Sequence, residues 1–171
     1  MNFTIREEKA DDDAGVRMVN EQAFGESLEA RLVDSLRAND AVLVSLVAVA
    51  GEQIVGHILF SPVQLGSGVS VLEGAGLGPM SVLPDFQRLG IGSSLIEEGI
   101  RLIQQRGEPF VVVLGHPSYY LRFGFVPASR YGVNCQWDVP DDVFMILPLD
   151  TLRFGAASGL ARYRDEFSTV T

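Results

Sequence analysis

The sequence has a single cysteine, Cys135, among its 171 residues. One cysteine excludes an internal disulfide and supplies too little sulfur for a cysteine-rich zinc site, so we expect no metal cofactor. The chain also lacks an apolar run as long as a membrane span, and its first residues, MNFTIREEKADDD, lack the apolar core of a signal peptide. These absences predict a cytoplasmic protein with no membrane partner.

Basic residues are scarce: 13 Lys and Arg stand against 22 Asp and Glu, which gives a net charge of -9. A protein that grips nucleic acid broadly needs a basic surface, so we expect no nucleic-acid partner. The acidic excess mildly favours a cationic substrate such as an amine, although it also serves solubility alone. Lys9 is the only lysine, and the other cations are arginines, which suit phosphate contacts better.

Hydrophobic periodicity divides the chain into alternating strands and helices. The predicted strands lie near 2–6, 41–50, 54–65, 72–82, 110–115, 125–134 and 143–149, and the predicted helices near 11–24, 28–36, 91–106 and 118–123. This order predicts one domain over residues 1–171 of the mixed α/β (α+β) class. Residues 150–171 are expected to pack on it as a C-terminal extension.

The stretch QRLGIG (87–92) lies where the helix over 91–106 begins. A dinucleotide fingerprint would need a third glycine at Leu95, and a Walker loop would need a lysine, so both are disfavoured. A purely structural glycine turn is the remaining alternative. However, free N–H groups at a helix N-terminus bind anions, glycines allow a close approach, and Arg88 adds a cation. We therefore interpret QRLGIG as a pyrophosphate cradle.

Two segments resemble a known family. Gln87-x-x-Gly90-x-Gly92 resembles the Q/R-x-x-G-x-G/A signature of the GCN5-related N-acetyltransferases (GNAT), and GPMSVLPDF (78–86) resembles the strand before it. VVVLGHPSYYLRFGFVPA (111–128) is similar to the segment after the family's fifth strand, with its Tyr-x-x-x-Gly-Phe pattern. The combination resembles the YhbS-like bacterial branch, from about residue 3 to residue 150.

The resemblance implies a fold and a co-substrate. The fold would be a central, mostly antiparallel sheet of about seven strands with a splayed parallel pair, flanked by about four helices. Acetyl-CoA would lie in the gap of the splayed pair, with its pyrophosphate on the cradle and its pantetheine arm along the preceding strand. The implied cofactor-binding residues are Met80, Ser81, Val82, Gln87, Arg88, Leu89, Gly90, Ile91, Gly92 and Ser93.

The resemblance also implies direct transfer of the acetyl group to an amine within a ternary complex. Tyr120 stands where the family places the general acid for the leaving thiolate, although it could instead be an aromatic packed under the cofactor. Glu73, early in the acetyl-CoA strand, is our first candidate for the base that deprotonates the amine. His57, His116, Glu26 and water are the alternatives.

The acceptor is left open between a small-molecule amine and a protein amine. Glu26 and Glu29 either line the acceptor pocket or are simply solvated, and Tyr163 and Phe167 either close one edge of that pocket, contact a partner subunit or pack. A homodimer is the state that the resemblance suggests. The rival functions are a non-catalytic acyl-CoA-binding sensor or regulatory module, and an interaction domain that binds no CoA.

Overall fold

The computed structural model describes residues 1–169. Its strands are β1 (Thr4–Glu7), β2 (Val44–Ala50), β3 (Gln53–Leu65), β4 (Leu72–Val82), β5 (Phe110–Leu114), β6 (Val126–Pro127), β7 (Val133–Cys135), β8 (Phe144–Pro148) and β9 (Gly159–Arg162). The α-helices are α1 (Asp13–Phe24), α2 (Leu28–Ala38), α3 (Ile91–Gln105), α4 (Pro117–Tyr120) and α5 (Thr151–Phe154). Short 3-10 turns join several of these elements.

One mixed sheet contains all nine strands, in the order β1-β2-β3-β4-β5-β8-β6, with β9 pairing with both β3 and β7. Most pairs are antiparallel, and β4–β5 and β7–β9 are parallel. The predicted mixed α/β fold with a parallel pair is therefore confirmed. The sheet has two more strands than expected, because the strand predicted over 125–134 is two short strands, β6 and β7, separated by a 3-10 turn, and because β9 was not predicted. The helix α5 was not predicted either, since an element of four residues gives little periodic signal.

Two helices cover opposite faces of the sheet at β3. Successive side chains of a strand point to opposite faces. Gly56 lies against Ile91 of α3, since a Cβ added at Gly56 would be 3.0 Å from that side chain. The next residue, His57, contacts Asn20 of α1. The helix α3 packs one side on the sheet, because Ile91, Leu95, Ile96, Gly99 and Ile103 are all buried.

The parallel pair β4–β5 is short and then opens. The two strands pair only from Ala75↔Val111 to Leu77↔Val113. Beyond that point β4 turns away through an irregularity at Gly78 and Pro79, and it continues to pair with β3, for example at Met80↔Ile58. Among the described residues, the end of β4 consequently has no strand on its other side, and two cavities lie in the splayed gap.

The C-terminal segment joins the sheet. Of the predicted extension over 150–171, residues 170 and 171 lie outside the described residues. The rest forms α5, strand β9 and a 3-10 turn over Asp165–Thr169 that packs against α2. Within residues 1–169, no helix combines the length and apolar character needed to cross a membrane.

Candidate active site

The start of α3 has the geometry of an anion site. Arg88 and Gly90 both have left-handed backbone conformations, with φ of 63° and 87°. The first bond of the helix runs from the Ser94 N–H to the Gly90 carbonyl, at 3.1 Å. The N–H groups of residues 91–93 therefore precede the helical ladder and lie at its positive end. This arrangement is suited to a phosphate.

A cavity of about 620 Å³ opens at this end of α3, and we call it the helix-end cavity. Eight of the ten predicted cofactor residues line it, namely Met80, Ser81, Val82, Gln87, Arg88, Gly90, Gly92 and Ser93. The Leu89 side chain is exposed, and the Ile91 side chain is buried in the core. These two residues would therefore contribute only backbone groups to a ligand.

Gln87 holds the cradle against the strand. Its side-chain Nε2 donates a hydrogen bond to the carbonyl of Val82 at 3.1 Å. That carbonyl ends β4, where no strand partner is available on the open side. The glutamine of the motif therefore fixes the distance between the end of β4 and the start of α3, so that one ligand can contact both.

Sequence reasoning missed Arg122 as a lining residue of the helix-end cavity. Its guanidinium lies 4.7 Å from the centre of the Tyr119 ring and donates to the Ser93 hydroxyl at 3.1 Å. Tyr119 lines the same cavity. The spacing of three residues between Tyr119 and Arg122 places them on one side of a helical turn, and this signal could have identified Arg122.

A second cavity, of about 250 Å³, lies between α2, β4, β5 and the C-terminal segment. We call it the aromatic cavity, because Tyr120, Trp137, Tyr163 and Phe167 line it. Met80 lines both this cavity and the helix-end cavity. Phe24 also lines both cavities, so the two lie side by side at the end of β4, just beyond the last residue of β5 that pairs with this strand.

Tyr120 is held rigidly at the aromatic cavity. It is 7% exposed, and its ring packs edge-on against Tyr119 and Phe125, with centroids 5.2 and 5.7 Å away. Gly115 allows this position, since a Cβ there would lie 2.2 Å from the ring. Burial, and to a smaller extent Tyr119, raises the pKa of Tyr120 above its ordinary value. The phenol is therefore protonated at neutral pH.

His57 is enclosed in the core and lies away from both cavities. Asn20 donates to its Nδ1 at 3.2 Å, and its Nε2 lies 2.9 Å from the Ser45 hydroxyl, which donates to Glu8 at 2.6 Å. With Nδ1 accepting, the ring is neutral and Nε2 carries its proton. Burial lowers the pKa of His57 to about 3, and Arg37 adds to the effect. These hydrogen bonds satisfy both ring nitrogens, which is typical of a histidine with a structural role.

The side chains of the other candidate bases do not line the aromatic cavity, although the His116 carbonyl accepts a hydrogen bond from the Tyr120 N–H at 3.1 Å. Glu73 is exposed, and roughly 20 Å of extended strand separates it from Met80. His116 is exposed at the start of α4, and Glu26 is exposed beside another surface concavity. Glu29, in contrast, lines the aromatic cavity. In residues 1–169, no cluster of three or more His, Cys, Asp or Glu side chains could hold a metal ion.

Comparison with known proteins agrees with this geometry. Residues 4–128 match the family model described as an acetyltransferase (GNAT) domain. The chain is 30% identical to the uncharacterized N-acetyltransferase YhbS of Escherichia coli K12 over 165 residues, 96% of this chain and 98% of that protein. It is also 35% identical to the uncharacterized N-acetyltransferase YjhQ of the same organism over 144 residues, 82% of this chain and 80% of that protein.

Two solved structures are similar over nearly the whole chain. The crystal structure of E. coli YhbS in complex with CoA has a TM-score of 0.90 and 29% identity, covering 98% of this chain and 93% of that one. A GNAT family acetyltransferase of Brucella melitensis in complex with acetyl-CoA has a TM-score of 0.77 and 36% identity, covering 97% and 98%. The resemblance in the sequence is thus confirmed, and the chain belongs to the GNAT family of acetyltransferases.

Proposed function

We propose that this protein transfers the acetyl group of acetyl-CoA directly to a primary amine, with both substrates bound at once. The observation that carries the proposal is the meeting of two cavities at Met80, one at the anion-binding helix end and one beside Tyr120. A donor in the first cavity and an acceptor in the second would bring their reacting groups together there. The CoA and acetyl-CoA complexes of the two similar structures support the choice of donor.

The donor's pyrophosphate would bind the N–H groups at the start of α3, with Arg88 and Arg122 as nearby cations. Its pantetheine arm would pair with the open side of β4 at residues 80–82, as an added strand pairs with a sheet edge. A backbone N–H near Met80 would polarise the thioester carbonyl and stabilise the oxyanion. The splay of β4 and β5 leaves that side of β4 free for this role.

The chemistry needs a neutral amine and a proton for sulfur. The amine nitrogen attacks the thioester carbon, the C–N bond forms, and the C–S bond breaks with its electron pair going to sulfur. Tyr120 gives its phenol proton to the thiolate, and the nitrogen proton lost on amide formation restores Tyr120. An ammonium ion and acetyl-CoA thus yield an amide, the CoA thiol and one proton released to solvent.

The locations of the candidate bases indicate which group accepts the proton that the ammonium ion must lose before it attacks. None of Glu73, His57, His116 and Glu26 lines the aromatic cavity beside Tyr120. Of the alternatives named from the sequence, water is therefore the proton acceptor that the geometry favours. A cytoplasmic location and a homodimer remain predictions.

The proposal is tested by titrating acetyl-CoA in a calorimeter. Gly92→Glu places a carboxylate in the cradle, and its Cβ would meet only the flexible end of Tyr119, at 2.8 Å, so the variant should fold. Gln104→Glu makes a similar charge change at the exposed far end of α3. We expect micromolar binding by the wild type and by Gln104→Glu, and at least a tenfold loss for Gly92→Glu.

Acetyl transfer is then followed by CoA thiol release in an amine screen, with Tyr120→Phe as the catalytic variant. We expect this variant to bind acetyl-CoA normally and to lose about 10²- to 10⁴-fold in kcat, the range for a general acid. Binding without transfer to any amine would instead indicate a non-catalytic acyl-CoA sensor. No binding by the folded wild type would refute the proposed function.

A further inference from the structure

Two residues that line the aromatic cavity each have a buried polar atom with no hydrogen-bond partner within residues 1–169. Tyr163 is 7% exposed, and its hydroxyl makes no hydrogen bond within residues 1–169. The Oε2 atom of Glu29 is likewise buried without a hydrogen-bond partner among these residues. Both residues line the cavity that Tyr120 lines. An unpaired buried polar group costs about 1–3 kcal/mol, so a ligand in this cavity that reached these two atoms would supply the missing hydrogen bonds.

The rest of the cavity wall is aromatic and aliphatic. The rings of Trp137 and Tyr163 lie 5.2 Å apart, and those of Tyr163 and Phe167 lie 5.0 Å apart, so the three form one continuous wall. Gly76 of β4 makes room for this wall, because a Cβ there would lie 2.9 Å from the Tyr163 ring. Such a surface favours an apolar ligand body, and ring faces also attract an ammonium group.

The charge of the cavity limits the ligand further. Of the described residues that line it, Glu29 is the only acidic one, and none is Lys or Arg. A single ammonium can pair with Glu29, whereas the second charge of a polyamine would lie against apolar side chains without a partner. The carboxylate of a free amino acid would also lack a cation there. The charges of the residues that line the cavity therefore match a ligand with one positive charge and no negative charge.

The size of the cavity agrees with a small ligand. A volume of about 250 Å³ equals on the order of eight water volumes, and hence a similar number of non-hydrogen atoms. We propose that the acceptor is a small primary amine with one positive charge and a compact apolar or aromatic body. Glu29 binds its ammonium, Tyr163 completes its hydrogen bonds, and Trp137 and Phe167 enclose its body. This inference rests on the proposed acetyl transfer and names its acceptor class.

The class is tested with four acceptors at equal concentration, measured as kcat/KM by CoA thiol release. 2-Phenylethylamine represents the proposed class, and phenylalanine adds only a carboxylate to the same skeleton. Spermidine adds further positive charges, and a lysine-containing peptide represents a protein amine. We expect 2-phenylethylamine to exceed each of the other three by at least tenfold. A higher kcat/KM for any of those three would overturn the inference.

Two variants test the assigned contacts, and a third is their control. Glu29→Gln should lower kcat/KM for 2-phenylethylamine by about thirtyfold, since it removes a buried charge-assisted hydrogen bond. Tyr163→Phe should lower it by about fivefold, mainly through KM, because only the hydroxyl is removed. Glu26→Gln alters a neighbouring exposed acid outside this cavity and should leave it unchanged. Equal effects of Glu29→Gln and Glu26→Gln would refute the role of Glu29.

Acetyl-CoA titrations separate this inference from the proposed function. All three variants should bind acetyl-CoA like the wild type, because Glu26, Glu29 and Tyr163 do not line the helix-end cavity. If spermidine or the peptide is acetylated best, the transferase function stands and the acceptor class is wrong. If acetyl-CoA binds and no amine of any class is acetylated, the transferase function fails and the acceptor inference fails with it.

Discussion

Replacing Gly115 with alanine should displace the Tyr120 ring. A Cβ built at Gly115 would lie 2.2 Å from Cε2 and 2.7 Å from Cδ2 of this ring, and ordinary contact begins at 3.4 Å. The ring must therefore move by about 1.2 Å. It cannot move freely, because Tyr119 and Phe125 pack against it edge-on. The backbone of Gly115 is not left-handed, so the whole effect is steric.

The expected result is a selective loss of catalysis. Overpacking of this kind costs about 1–3 kcal/mol of folding free energy. A misplacement of about 1 Å in an active site can lower the rate by about 10²-fold. We therefore expect kcat to fall by about two orders of magnitude, while the Kd for acetyl-CoA stays the same because Tyr120 does not line the helix-end cavity.

Gly99→Ala is the matched control. Its added Cβ would lie 2.3 Å from the buried Phe60 ring, so it overpacks the core equally, but neither Gly99 nor Phe60 lines the aromatic cavity. Thermal unfolding would show comparable destabilisation, with kcat near the wild-type value. A double-mutant cycle completes the assay: in a Tyr120→Phe background, Gly115→Ala should cost little further activity. Additive losses, or an equal loss in Gly99→Ala, would refute the reasoning.

Two further predictions concern the buried histidine and the second cation. Because the pKa of His57 is about 3 when folded and about 6.5 when unfolded, the unfolded chain binds more protons between these values, so stability rises with pH. Denaturant unfolding should show that this group lowers the free energy of unfolding of the wild type by about 2 kcal/mol from pH 8 to pH 5. His57→Gln should lose this pH dependence. Arg122→Ala should raise the Kd for acetyl-CoA about fivefold, and by less at high salt. Arg101→Ala, which removes an exposed ion pair with Glu98, should leave this Kd unchanged. Equal effects of the two variants in calorimetry would contradict a phosphate role for Arg122.

The donor side of the site could be predicted from the sequence because it is local and built largely from backbone. Residues 80–82 and 87–93 are nearly contiguous, and their role depends on where a strand ends and a helix begins. Apolar periodicity reveals both boundaries, and the glycines show where backbone must come close to a ligand. Leu89 and Ile91 illustrate the limit, since sequence alone did not tell which side chains of the motif turn away from the cavity.

The acidic residue of the acceptor side could not be chosen from the sequence. Glu73 was favoured by its place in the acetyl-CoA strand, yet the register of β4 leaves it opposite Gln64, exposed and far from Tyr120. Glu29 faces the cavity because α2 packs against the C-terminal 3-10 turn. That contact joins segments more than 120 residues apart, and no local pattern reports it. Strand position therefore points to Glu73, whereas tertiary packing points to Glu29.

The helix-end cavity is formed largely by segments close in sequence and the aromatic cavity by distant ones, and this difference also separates the sites proposed for the two substrates. The match to the GNAT domain ends at residue 128, after every residue of the helix-end cavity. Trp137, Tyr163 and Phe167, which form the aromatic wall, all follow it. Strand β9 brings this wall to the site by pairing with β3 at Leu65. Substitutions beyond residue 128 can therefore change the size and polarity of the aromatic cavity without altering the helix-end cavity, so under the proposed function relatives with the same helix-end cavity can differ in the amine they accept.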